Sequence, residues 1–215
     1  MDFSKNIQEN IQSMNQALDV TSNFDVVYRT LTIGGRTACA YFIDGFTKDE
    51  VLLKVFQVWG SIKPEDMPAD AHGFSKQYVP YGEVGLVNDS DAMIVQLLTG
   101  ISCIFIDGYD SCRTLDCRTY PARGVSEPEK DKALRGSKDG FVATVVFNTA
   151  LIRRRIRSTD LRMEMMNAGE SSQTDIVLCY MDSRVDHAFL EKIKDGIRSI
   201  QVDALTMNQE SLAEC

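Results

Sequence analysis

The stretch "VSEPEKDKALRGSKDG", Val125 to Gly140, carries eight charged side chains in sixteen residues and almost nothing that a core could take up. On either side, the chain alternates between apolar strand-like and helix-like segments. Burying unpaired charge is prohibitive, so no continuous core runs through such a stretch. The fold has to be assembled from a part before it and a part after it. With 215 residues there is enough chain for two small subdomains or one large one.

The first part reads as follows. Ile7, Ile11, Met14 and Leu18 recur at helical spacing and predict an amphipathic N-terminal helix. "FDVVYRTLTI" and "TACAYFID" flank "GGR", a strand–turn–strand pattern with a tight Gly-Gly turn. Thr47 to Glu50 reads as a capping box opening a helix through Trp59. A Pro-containing connection follows, with a short helix ending before Pro80. "EVGLVN" predicts a strand, "SDAMIVQLLTG" a helix, and "ISCIFIDG" an apolar strand with "SCRTLDCR" returning antiparallel to it.

Beyond the charged stretch, a helix is expected from Phe141 towards Arg157, its buried face made by Phe141, Val142, Val145, Val146, Thr149, Ile152 and Ile156. "LRMEMMN" and "TDIVLCYM" predict two strands, and Ser183 with Asp186 a capping box for "HAFLEKIKDGIRSI". "VDALT" reads as a last strand, and Asn208 as the cap of one more helix. Interleaved strands and helices give a mixed α/β (α+β) class. The expected division is an N-terminal helix over 1–19, a first α/β subdomain over 20–120, a charged connection over 121–140 and a second α/β subdomain over 141–215.

Several kinds of chemistry find no support. His72 and His187 belong to no metal-binding pattern, and no phosphate-binding glycine loop follows a strand. Cys112 and Cys117 differ by an odd offset, which places them on opposite faces of a shared strand. No nucleophile–base pair is visible, and Asp44 and Asp107 at strand ends are explained by their Asp-Gly turns. The expectation is therefore no catalytic residue, no metal, no cofactor and no enzyme. A net charge of −8 argues against nucleic acid as a partner. The N-terminus lacks the pattern of a secretory signal, and the six cysteines read as reduced thiols.

"ALIRRRIRS" places Arg153, Arg154, Arg155 and Arg157 near a helix C-terminus. The helix dipole favours cations there, but four arginines exceed that need and suit pairing with carboxylates. The expected interaction surface combines them with Arg118, Arg123, Glu127, Glu129, Lys132, Arg135 and Asp139.

The run "RTYPARGVSEPEKDKALRGSKDGFVATVVFNTALIRRRIRS" closely resembles the signature of the A subunits of the GerA family of spore germination proteins. "STDLRMEMMNAGESSQTDIVLCYM" and "VDALTMNQESLAEC" continue the resemblance, which covers at least residues 20–215. Within the family, "FDVVYRTLTIGGRTACAYFIDGFTKDE" and the C-terminal run look most like the stage V sporulation protein AF branch. The resemblance implies a soluble N-terminal domain of two α/β subdomains, loosely like a solute-binding protein, with a membrane part beyond residue 215. It implies a place in the spore inner membrane with this domain on the cytoplasmic (core) side, and a role in assembly and signalling of an ion-releasing complex. The implied partners are other copies of the subunit and other germination membrane proteins. A small-molecule germinant bound in a cleft between the subdomains is the alternative. The isolated chain is expected to be soluble and weakly associating.

Overall fold

The computed structural model describes residues 2–78, 84–120 and 140–205. In chain order it contains α1 (Ile7–Leu18), β1 (Val26–Ile33), β2 (Arg36–Ile43), α2 (Asp49–Gly60), a 3₁₀ turn (Pro64–Asp66), α3 (Ala71–Tyr78), β3 (Val84–Val87) and α4 (Ser90–Leu98). There follow β4 (Ser102–Ile106), β5 (Cys112–Leu115), α5 (Val145–Arg155), β6 (Leu161–Ala168), β7 (Thr174–Met181) and α6 (His187–Arg198). Five strands form one sheet in the order β1-β2-β4-β5-β3, and β6 and β7 form a second. Every pairing between these strands is antiparallel. The mixed α/β class is as the sequence predicts.

The Gly-Gly turn shows how local chemistry sets the register. Ile33 pairs with Arg36, so Gly34 and Gly35 alone span the hairpin, with φ of 53° and 74°. Two successive residues at positive φ match the right-handed strand twist, and glycine adopts that conformation without a Cβ clash.

The large sheet is covered on both faces, which explains why β2 and β4 are apolar throughout. Cys39, Tyr41, Ile43, Cys103, Phe105 and Cys112 face α1 and α4 through Ile7, Met14, Leu18, Met93 and Leu97. Ala38, Ala40, Ile104, Ile106 and Leu115 face α2 and α3 through Leu52, Trp59, Ala71 and Phe74. The polar ends of the large side chains find partners: Tyr41 donates to Asn15 Oδ1 at 2.8 Å, and Trp59 Nε1 to the Tyr78 carbonyl at 3.0 Å. Cys112, in β5, and Cys117, just past the end of that strand, fall in the two different layers. Arg113 is buried beneath α3, donating to Ser75 Oγ and the Ala71 carbonyl with its guanidinium 4.8 Å from the Phe74 ring centre. Burial lowers its pKa to about 10.

The β6–β7 hairpin carries α6 on one face. Met166, Ala168, Ile176 and Leu178 meet Ile197 there, and Lys194 reaches Glu164 at 2.7 Å. α5 packs against β7.

Several expectations need correction. α5 begins at Val145, not Phe141, because Asn148 turns back on the preceding chain: its Oδ1 accepts from Val142 N at 2.7 Å and its Nδ2 donates to the Val142 carbonyl at 2.8 Å. Its buried residues are Thr149, Ala150 and Arg153, whereas Phe141 is 68% and Ile156 38% exposed. The Thr47 capping box does not form: Lys48 occupies the N-cap without a side-chain bond, and Thr47 Oγ1 is buried with no partner among the described residues. Asp186 alone caps α6, accepting from Ala188 and Phe189, while Ser183 bonds Asp160 instead. Residues 202–205 form no strand, their backbone carbonyls serving the hairpin loop through Glu170 and Ser171. The helix expected after Asn208 lies outside the described residues.

Candidate interaction surface

The turn after β2 positions α5. Gly45, at φ 78°, packs so closely against the helix that a Cβ there would lie 3.2 Å from both Ala150 Cβ and Val146 Cγ1. Gly45→Ala is expected to lower stability by about 1–2 kcal/mol through left-handed strain and this contact, read as a lower melting temperature with the fold retained.

With Ala150 fixed against that turn, Thr149, Ala150 and Arg153 point inward together, as positions three and four apart on a helix must. Arg153 is 1% exposed. Its Nε donates to Asp25 Oδ2 at 2.7 Å and its terminal nitrogen to Asp25 Oδ1 at 3.0 Å, a two-pronged pairing. The remaining donors reach the carbonyls of Ser158 and Leu161 and Asn23 Oδ1. Asn23 in turn accepts from Met163 N at 3.0 Å and donates to the Leu18 carbonyl at 2.9 Å. One arginine thus joins α5, the entry to β1 and the start of β6. The expectation that Arg153 lies on an interaction surface is corrected: its charge is consumed inside the chain. At this described part of the seam between the two sheets there is a buried ion pair.

The other arginines of the helix end face outward. Arg154 is exposed and lies 4.7 Å over the ring of Tyr120, whose hydroxyl donates to the Thr99 carbonyl at 2.8 Å. Arg118 comes to the same region, because Thr119 N bonds the Phe46 carbonyl and Thr47 bridges Arg118. It pairs with Asp116, Nε to Oδ1 at 2.8 Å. That hydrogen bond holds the Asp116 carboxyl below its usual value and the Arg118 guanidinium above. Arg157 is exposed at the end of the helix. Arg155 lines a shallow depression of about 100 Å³ with Gly140, Phe141, Leu151 and Ile152, well below the roughly 300 Å³ of the smallest ligand pockets. The structure therefore brings Arg118 and Arg154 together around Tyr120, while Arg155 lies with Phe141 in a separate depression. Arg123, Glu127, Glu129, Lys132, Arg135 and Asp139 lie outside the described residues.

Sequence reasoning missed Asn23 and Asp25, which decide the role of Arg153. A usable signal existed in the helical spacing of Arg153 from Thr149 and Ala150. Asp107 serves α1, its Oδ1 accepting from Ile7 N at 3.1 Å, which accounts for its place at a strand end. Among the described residues no cluster of His, Cys, Asp and Glu could hold a metal ion, and no helix is long and apolar enough to cross a membrane.

Comparison with known proteins adds the following. The profile of the Bacillus/Clostridium GerA spore germination protein family matches residues 12–215. Stage V sporulation protein AF of Bacillus subtilis (strain 168) is 31% identical over 212 residues, covering 98% of this chain and 43% of that protein. The membrane protein YfkQ of the same organism, itself uncharacterized, is 27% identical, covering 94% and 39%. Its spore germination protein KA is 24% identical, covering 87% and 35%. The chain thus spans about two fifths of the length of these curated relatives. Among solved structures, the N-terminal domain of the A subunit of the Bacillus megaterium spore germinant receptor GerK3 superposes with a TM-score of 0.73 at 19% identity, covering 100% of this chain and 80% of that one.

Proposed function

The chain belongs to the Bacillus/Clostridium GerA spore germination protein family, and from that premise we propose that it is the N-terminal, non-catalytic domain of a membrane-held germination protein. It acts in assembly and signalling of an ion-releasing complex, from the cytoplasmic (core) side of the spore inner membrane. The observation that carries this reading is the family match along residues 12–215 of a chain that spans only 43% of a relative such as stage V sporulation protein AF. The remainder of such a protein is where a membrane part would lie. In this reading the exposed end of α5, where Arg154, Ile156 and Arg157 are exposed and Arg155 lies with Phe141, meets another subunit. Outward arginines flanked by exposed apolar side chains are typical of protein contacts.

Expression with the downstream coding sequence tests both halves. The long product is expected to fractionate with membranes and to resist extraction by salt or alkali. Arg154→Glu with Arg157→Glu is expected to reduce co-purification with partner subunits. The melting temperature of the domain should hold, since surface changes stay within about 0.5 kcal/mol. Recovery of the long product in the soluble fraction would overturn the membrane reading. Unchanged co-purification of the double variant would remove α5 from the contact.

A further inference from the structure

Among the described residues, no strand pairs with the outer edge of β7. Met163 in β6 uses its backbone N–H and carbonyl on Asn23 and Phe24, so both point away from β7. Alternation along an antiparallel pair then assigns the ladder bonds to Arg162–Tyr180, Glu164–Leu178 and Met166–Ile176. The Asp182 N to Asp160 carbonyl bond at 2.9 Å keeps the same phase. The backbone groups of Asp175, Val177 and Cys179 therefore point outward, with no strand beside them among the described residues. Edge strands are normally blunted by lysine, proline or a bulge, and Ile176–Met181 contains no charge and no proline.

A second observation falls on the same side. Lys194 ties one flank of α6 to Glu164 of β6 at 2.7 Å, with Leu190 and Ile197 buried beneath the helix. Phe189 and Ile193, one turn apart, occupy the opposite flank, on the β7 side, and are 60% and 37% exposed.

We propose that this edge binds a second copy of the chain by antiparallel β7–β7 pairing about a two-fold axis at Val177. A strand edge paired with itself satisfies the requirement that a two-fold contact be self-complementary. Outward groups then meet outward groups: Val177 opposes its own counterpart, and Asp175 lies across from Cys179, so no like charges are opposed. The same axis puts both α6 helices on one face of a four-stranded sheet, Phe189 and Ile193 flanking the join. It carries Arg184, just past β7, towards the partner's hairpin loop and its Glu170, so opposite charges approach twice.

Sedimentation equilibrium of the whole 215-residue chain across a micromolar range tests this. A monomer–dimer equilibrium is expected. Val177→Pro removes only an outward N–H, so it should weaken the dimer at least tenfold, a change of about 1.4 kcal/mol, while the chain stays folded by circular dichroism. Phe189→Glu should weaken it independently. Asp175→Cys should cross-link to the native Cys179 of the partner under mild oxidation. A chain that stays monomeric throughout, or a dimer indifferent to both Val177→Pro and Phe189→Glu, would overturn the proposal. Neither result bears on membrane fractionation, so the two readings fail separately.

Discussion

Arg153→Ala is expected to destabilise the folded chain by about 3–5 kcal/mol, a fall of roughly 6–20 °C in melting temperature. The cause is the carboxylate left behind. Asp25 is 1% exposed, and without the guanidinium it is a buried charge with no cation against it. Arg157→Ala, only four residues further on, is expected to change stability by less than about 0.5 kcal/mol, because that side chain is already in water. The double change Asp25→Leu with Arg153→Met should recover most of the loss, since a well-packed apolar pair is often as stable as a buried ion pair. Thermal melts of the four proteins separate these outcomes. Equal effects at Arg153 and Arg157 would return both to the surface.

Stability should also fall on the alkaline side. Burial pushes the Cys39 thiol up to about 12 and the Cys117 thiol up to about 11, and raises Cys112 well above the ordinary value. In the unfolded chain these thiols ionise near pH 8.5. Above that pH the unfolded state releases protons that the folded state keeps. The stabilisation is therefore complete below about pH 8.5 and is lost progressively towards pH 11–12. Linkage gives about 1 kcal/mol per thiol between pH 8.5 and 9.5, or about 3 kcal/mol for the three. Urea unfolding at pH 8.5 and 9.5 measures it. Cys39→Ala should lower stability at both values yet reduce the difference between them by about a third. A stability that is flat across this range would show that the thiols ionise in place.

What the sequence made readable was periodic. Alternation and the Gly-Gly pair located β1 and β2 with their hairpin. Local polar competition was harder. The run Phe141 to Val146 has helical apolar spacing, but Asn148 captures the Val142 backbone and delays the helix by four residues. The hydroxyl caps expected at Thr47 and Ser183 do not form: Thr47 Oγ1 has no partner among the described residues, and Ser183 Oγ donates to the Asp160 carboxylate. The candidate surface was readable as composition but not as division of labour. Four arginines in five positions look alike in one dimension, and the partner that withdraws Arg153 lies 128 residues away. Helical spacing from Thr149 sets Arg153 apart from Arg154, but Arg157 repeats the phase of Arg153 and is exposed because α5 ends at Arg155.

A double-mutant cycle between Asp25 and Arg153 tests most directly that a single arginine of the cluster holds the two sheets and α5 together while its neighbours face outward. Asp25→Ala, Arg153→Ala and the double variant are compared with the parent by urea unfolding. Each single change should cost several kcal/mol and the double change little more than either, giving a coupling energy of at least about 2 kcal/mol. Additive losses, with a coupling below about 0.5 kcal/mol, would mean that the pair does not join these elements.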